Sequence, residues 1–181
     1  MLRKYMFQNG GDEMGFLDGL FKKKEEPTAG TEKHVVASPV KGRVIPLKEV
    51  PDPAFAEGIL GVGVAVIPAE GSVYAPVDGT VAAAFPTGHA VGLQSDDGME
   101  VLIHVGIDTV SMKGEGFCLK VSQGDKVKRG DLLLTFDARK IEEAGHETTT
   151  MVLVSNAANL GTLEVLSMGD VDVLQKLYCL G

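Results

Sequence analysis

The sequence predicts an all-β fold, an antiparallel, barrel-like sandwich with few short helices. Three observations predict it. The 181 residues include 23 glycines and no tryptophan, and valine recurs at short intervals, as in short strands joined by glycine turns. Turn signals at Asp78-Gly79, Asp97-Gly98, Gly124-Asp125 and Gly130-Asp131 punctuate the apolar runs. Finally, Ser38-Pro39-Val40-Lys41-Gly42-Arg43-Val44 is echoed by Ala75-Pro76-Val77-Asp78-Gly79-Thr80-Val81. The shared P-V-x-G-x-V, offset by 37 residues, marks a duplicated supersecondary unit.

In chain order, residues 1–33 read as a flexible tail and residues 34–181 as the folded domain. KKKEEPTAG at 22–30 has the composition of a solvated linker. Ahead of it, residues 14–21 (MGFLDGLF) place Phe16, Leu17, Leu20 and Phe21 on one helical stripe followed by lysines. Such a short helix is marginal in water, and Gly19 costs roughly another 1 kcal/mol. It would form only against something, such as a weak contact with a membrane surface. From residue 34 the pattern alternates as strands do, over 34–37, 42–46, 62–68, 79–85, 89–94, 99–105, 132–136, 151–154 and 171–178. Only 137–145 (DARKIEEAG) has helical composition.

Composition excludes several functions. The net charge is −8; the tail is neutral, and residues 34–181 hold 11 basic and 19 acidic residues. A domain this acidic has nothing with which to release counterions from phosphates, which argues against nucleic acid. A basic protein partner suits it better. No apolar run approaches the roughly 20 residues of a membrane span, and the first residues lack the apolar segment of a signal peptide. Cys118 and Cys179 lie far apart, outside any CxxC or zinc spacing. They read as reduced thiols of a cytoplasmic protein.

The informative stretch runs from His89 to His104, a hairpin with its turn at 95–98. With a four-residue loop, Gln94 opposes Met99, and His89 lies directly opposite His104 with Cβ atoms about 4.5–5.5 Å apart. A two-residue loop makes the histidines diagonal neighbours on one face; a bulged, odd-length loop separates their faces. Alternation turns Val101, Ile103 and Val105 to the core and Glu100, Leu102 and His104 outward. Phe85 and Thr87 approach His89 along the preceding strand and turn. An exposed histidine pair bordered by Phe85 and Leu102 is a contact surface for another protein. A neutral imidazole is a good nucleophile near pH 7. Two can hold a phosphoryl group, one nitrogen bonding phosphorus and the other donating to an oxygen.

Several segments carry a resemblance to known families. Val121-x-x-Gly124-Asp125-x-Val127-x-x-Gly130-Asp131-x-Leu133 resembles the hammerhead turn of the barrel-sandwich hybrid fold of lipoyl and biotinyl domains. Together with the repeat it implies an internally duplicated hybrid motif. Val50-Pro51-Asp52-Pro53-Ala54-Phe55-Ala56, Gly63-Val64-Ala65-Val66-x-Pro68 and above all H-x-G-I-D-T-V-x-x-x-G-x-G-F from His104 to Phe117 resemble the glucose-type enzyme IIA component of the bacterial phosphoenolpyruvate-dependent sugar phosphotransferase system. The resemblance covers nearly all of 34–181, and it implies roles. His104 would accept phosphate on Nε2 from the histidine-containing phosphocarrier protein and pass it to a cysteine of an enzyme IIB domain. His89 would support the phosphoryl group, and Thr87 would hydrogen-bond near His89. Asp108 would face the basic donor. Phe55 and Phe85 would form the apolar collar that partners pack against, and the domain would act as a monomer without an obligatory cofactor. Two positions depart from the family: Val62 stands where Asp is usual, and Leu102 where an aromatic is common. Both lie where partner contacts change.

Other readings compete. A lysostaphin-type zinc peptidase needs three protein ligands and a water, whereas only His89 and His104 converge here. A swinging-arm carrier needs a modified lysine at a hairpin tip, and Glu70-Gly71-Ser72 has none. A regulatory binding protein read out by its phosphorylation state is compatible with the carrier reading. The histidine pair can supply two Zn²⁺ ligands, completed by a partner's carboxylate. His34 and His146 have no partner in sequence and read as solvated. The family-like tail begins at Met14. Because Gly10-Gly11-Asp12-Glu13 can be encoded by a purine-rich ribosome-binding tract, residues 1–13 are expected to be a translated leader.

Overall fold

Both glycines of the repeated motif open a strand, and for the same steric reason. Gly42 begins β2 (Gly42–Pro46) and Gly79 begins β5 (Gly79–Ala84). A Cβ on Gly42 would stand 2.1 Å from the Ile67 carbonyl oxygen, and one on Gly79 would stand 2.2 Å from that of Gln94. The neighbouring strand can approach only a bare Cα there. The computed structural model describes residues 34–181; the expected tail, the expected helix at 14–21 and the expected leader at 1–13 lie outside the described residues.

The remaining strands are β1 (Val35–Ala37), β3 (Val62–Pro68), β4 (Ser72–Tyr74), β6 (Ala90–Ser95), β7 (Glu100–Val105), β8 (Phe117–Leu119) and β9 (Lys126–Val127). After them come β10 (Leu132–Phe136), β11 (Thr150–Val154), β12 (Leu163–Val165), β13 (Gly169–Val171) and β14 (Lys176–Leu180). The helices are short: α1 (Pro53–Ala56) and α2 (Ala138–Glu143). Every ladder is antiparallel. The main sheet runs β13-β2-β3-β11-β7-β6-β5-β9, beside two three-stranded sheets, β1-β14-β12 and β4-β10-β8. The duplication is legible in that order, because β13-β2-β3 on one side of β11-β7 matches β9-β5-β6 on the other. This is the all-β, antiparallel sandwich that the sequence predicts.

The hammerhead segment is built twice the same way. Asp125 accepts from the Ser122 N–H at 2.8 Å and Asp131 from the Lys128 N–H at 2.7 Å. Gly124 and Gly130 each take a left-handed φ beside them, +92° and +98°. Between the sheets, Leu93, Ile103, Leu133, Leu134 and Leu177 are fully buried. Tyr178 is buried too; its hydroxyl donates to the Val152 carbonyl at 3.1 Å, and burial pushes the phenol well above its usual pKa. Cys118 and Cys179 are not joined in a disulfide. No helix among the described residues is long and apolar enough to cross a membrane.

Some expected elements differ. The predicted strand over 171–178 is two strands, because Leu174 takes φ +67° and Gln175 N–H closes a turn on the Asp172 carbonyl. β4, β8, β9 and β12 have only two or three residues, too few to print a period of two. The 89–104 hairpin has neither expected even loop. Gln94 pairs with Glu100, and the Ser95 N–H closes the ladder on the Met99 carbonyl at 2.8 Å. Three residues are left in the loop, with Gly98 at φ +95°, the geometry of a glycine bulge. Ala90, not His89, therefore lies opposite His104.

Candidate functional site

His104 sits in the middle of the main sheet, between Met151 on β11 and Ala90 on β6. Two flanking ladders hold its backbone, so the ring projects from a rigid platform. Its face of the sheet is the one opposite the main core. Here Ala65, Met151 and Leu153 form an apolar floor, covered by Val50 and Phe55 and edged by Leu102 and Ile107. Asp52 starts α1 above this floor, its side chain accepting the Ala54 N–H at 2.8 Å, with Pro53 next in line. That short helix drops Phe55 onto the His104 ring, edge-on with centroids 5.1 Å apart.

His89 reaches the site although the register is one residue off the sequence expectation. It precedes β6 and follows the Thr87-Gly88 turn, outside the regular pleat that forces neighbouring side chains to alternate. Its carbonyl still accepts the Val105 N–H at 2.8 Å. The two imidazole centroids lie 4.8 Å apart, edge to face. Phe85 packs against the other side of His89 at 5.7 Å. The pair is less open than the alternation implies: His89 is only 5% exposed and His104 is half-buried. Phe55 is 4% exposed and serves as a wall, while Phe85 is 40% exposed and does stand at the surface.

Hydrogen bonds assign the ring nitrogens. His104 Nδ1 lies 2.9 Å from the Gly106 carbonyl oxygen. A carbonyl can only accept, so Nδ1 carries the proton and Nε2 carries the lone pair. Gly106 can present that oxygen because it takes φ +79°; its own N–H is tied to the Thr149 carbonyl at 2.9 Å and the Ile107 N–H to that of Glu147 at 3.2 Å. Thr87 Oγ1 lies 2.6 Å from His89 Nδ1. Burial first, then the neighbouring His89, push the His104 imidazole down to about 4, against smaller upward pulls from the Gly106 carbonyl, Asp52 and Asp108. Burial lowers His89 as well. Both rings are therefore neutral at pH 7.

Asp108 is exposed, takes φ +56° and heads a short 3-10 helix, Thr109–Met112. Leu102 is half-buried beside the Phe55 cluster. Val62 is 37% exposed at the start of β3. Among the described residues no group of three or more potential ligands gathers to hold a metal. The sequence reading omitted Asp52 and the Gly106 carbonyl. An aspartate before proline ahead of a short apolar run is a helix-start signal and marks the first. Nothing local marks the second, since the carbonyl's aim comes from the turn. The two other histidines also have partners: His34 Nδ1 is 3.3 Å from Asp97 Oδ2, and His146 Nε2 is 3.1 Å from Ser111 Oγ.

An antiparallel sandwich that presents two converging, neutral imidazoles on one face has the architecture of a sugar-phosphotransferase IIA domain, and comparison with known proteins agrees. The model of the family "phosphoenolpyruvate-dependent sugar phosphotransferase system, EIIA 1" matches residues 34–160, and the chain belongs to that family. It is 45% identical over 153 residues to the glucose-specific EIIA component of Oceanobacillus iheyensis, covering 84% of this chain and 90% of that one. It is 48% identical over 145 residues to the β-glucoside-specific EIIBCA component of Dickeya chrysanthemi, covering 78% of this chain but only 23% of that longer protein. Among solved structures, the glucose permease IIA of Mycoplasma capricolum superposes with a TM-score of 0.74 at 36% identity, covering 80% of this chain and 93% of that one. The chain is thus a glucose-type EIIA component of the sugar phosphotransferase system.

Proposed function

We propose that His104 takes a phosphoryl group on Nε2 from the histidine-containing phosphocarrier protein and passes it to a cysteine thiolate of an enzyme IIB domain, in the cytoplasm. The observation that carries this reading is the bond from His104 Nδ1 to the Gly106 carbonyl, which leaves Nε2 as the free lone pair beside His89. In the first step the Nε2 lone pair forms a bond to phosphorus. The donor's N–P bond breaks, and its electron pair stays on the donor imidazole. His104 keeps its Nδ1 proton throughout, so no proton transfer is needed. In the second step a thiolate attacks phosphorus and the electron pair returns to Nε2. With the Thr87 hydroxyl, 2.6 Å from His89 Nδ1, donating to that nitrogen, His89 carries its proton on Nε2 and donates it to a phosphoryl oxygen. The half-buried setting limits hydrolysis of the phosphohistidine.

The partner is a protein rather than a small molecule. The surface clefts along Lys41–Arg43 beside Asp170–Asp172, and along Pro68–Gly71 beside Phe136–Arg139, contain neither histidine. Phe85, 40% exposed, packs on His89, and exposed Asp108 follows β7 two residues after Gly106, an apolar and an acidic contact suited to a protein partner. The EIIBCA relatives carry IIB and IIA in one chain, which supports a IIB partner here. The experiment is phosphorylation by phosphoenolpyruvate and the general phosphotransferase proteins, followed by transfer to several IIB domains. A His104→Ala variant that accepts phosphate normally would overturn the assignment.

The pair also fits two of the four ligands of a zinc ion, because the Gly106 carbonyl holds the His104 tautomer that leaves Nε2 free. With two ligands only, binding to the isolated protein is weak and tightens when a partner adds a carboxylate. Excess Zn²⁺ should block phosphorylation by occupying the same nitrogens; submicromolar affinity in the isolated domain, measured by calorimetry, would contradict this.

A further inference from the structure

We infer that His146 is a positioning residue for donor docking, acting through Ser111 on the Asp108 turn. The inference rests on the phosphocarrier reading above. Ser111 has one hydroxyl proton, and its Oγ lies 2.7 Å from the Asp108 carbonyl oxygen, which can only accept. That proton is therefore committed to Asp108. His146 Nε2, 3.1 Å from the same Oγ, must then be the donor. The chain of bonds runs from the His146 Nε2–H to the Ser111 hydroxyl to the Asp108 carbonyl.

Asp108 needs the support. It is a non-glycine residue at φ +56°, and the 3-10 helix it heads has no side-chain cap there. A left-handed residue costs about 1 kcal/mol or more unless its surroundings hold it. Its turn is tied down at the near end by Thr109 Oγ1 to the Val105 carbonyl at 2.6 Å and by the Gly106 and Ile107 amides to the 147–149 segment. At the far end, Ser111 N–H and Oγ both bond the Asp108 carbonyl. His146, half-buried just after Gly145 at φ +85°, is the side chain that links this end to the segment following α2. Without it the far end hangs on Ser111 alone. The Asp108 carboxylate, exposed at the rim and drawn toward a basic donor, is then less fixed.

The test measures steady-state phosphoryl transfer from the donor protein to the full-length chain, for wild type, His146→Ala, His146→Gln, Ser111→Ala and the double variant. His146→Ala should raise KM for the donor roughly three- to ten-fold, the scale of one hydrogen bond, and leave kcat unchanged. His146→Gln, which keeps an N–H donor, should restore most of the loss. The double variant should be no worse than Ser111→Ala, since both changes cut one chain. A wild-type KM in His146→Ala, an equal fall in kcat, or full additivity would overturn the inference while leaving the carrier reading intact. Absence of His104 phosphorylation in the wild type would instead remove the reading on which it rests.

Discussion

In the proposed phosphoryl transfer, two imidazoles of the same chemistry take different roles because their Nδ1 atoms meet different partners. The Gly106 carbonyl leaves His104 with its lone pair on Nε2, and the Thr87 hydroxyl allows His89 to carry its proton on Nε2. His104→Ala should abolish phosphate acceptance, read by mass spectrometry of the intact protein. His89→Gln should still accept phosphate but pass it on about a hundred-fold more slowly, the effect of misplacing one transition-state donor; rapid-quench transfer to a IIB domain measures it. The depressed His104 pKa of about 4 carries a sign for stability. The unfolded chain binds a proton near pH 6.5 that the folded chain refuses until about pH 4. Stability contributed by the neutral ring is complete above pH 6.5 and is lost as pH falls through that window, by up to about 3 kcal/mol. Urea melts from pH 7.5 to 4.5 should show a slope that shrinks in His104→Gln, and an NMR titration of His104 near 6.5 would refute the shift.

The turn after β7 fixes the tautomer of a histidine on the sheet. Gly106 at φ +79° aims its carbonyl back at His104, and a side chain there has no room. A Cβ would lie 2.4 Å from Thr109 Cγ2 and 2.7 Å from the Glu147 carbonyl oxygen. Gly106→Ala should therefore cost about 2–3 kcal/mol and slow phosphorylation, because the tautomer lock moves with the carbonyl. Thermal unfolding and single-turnover rates together check this, and an unchanged Tm would contradict it. The β6–β7 hairpin shows how element geometry can defeat a register argument and preserve its conclusion. The three-residue loop with Gly98 moves every pairing by one, yet His89 still meets His104 from outside the ladder.

Across the whole molecule, an acidic domain sets the histidine pair beside a small apolar cluster, with the charges of Asp52 and Asp108 felt at His104. If the proposed donor is basic, its encounter with this domain is electrostatically steered. The second-order rate of phosphoryl transfer should fall about ten-fold between low and half-molar salt, measured by stopped flow; a rate indifferent to salt would argue for purely apolar docking. Phe55 and Phe85 divide the work. The buried ring walls His104, and the half-exposed one packs on His89 at the surface.

By itself the sequence determined the fold class, the duplicated motif with its glycines and the bounds of β2, β3 and β10. It also singled out His89 and His104, whose rings the fold brings together. These rest on local rules: a period of two, turn residues, and strand starts where no Cβ fits. The tertiary structure decided the rest. It set the odd hairpin loop, buried Phe55 and His89, brought Asp52 over His104 from fifty residues away, and aimed the Gly106 carbonyl at Nδ1. The physical reason is that a ring's burial, tautomer and proton affinity depend on groups from α1, β11 and the 147–149 segment, which only the folded chain brings together.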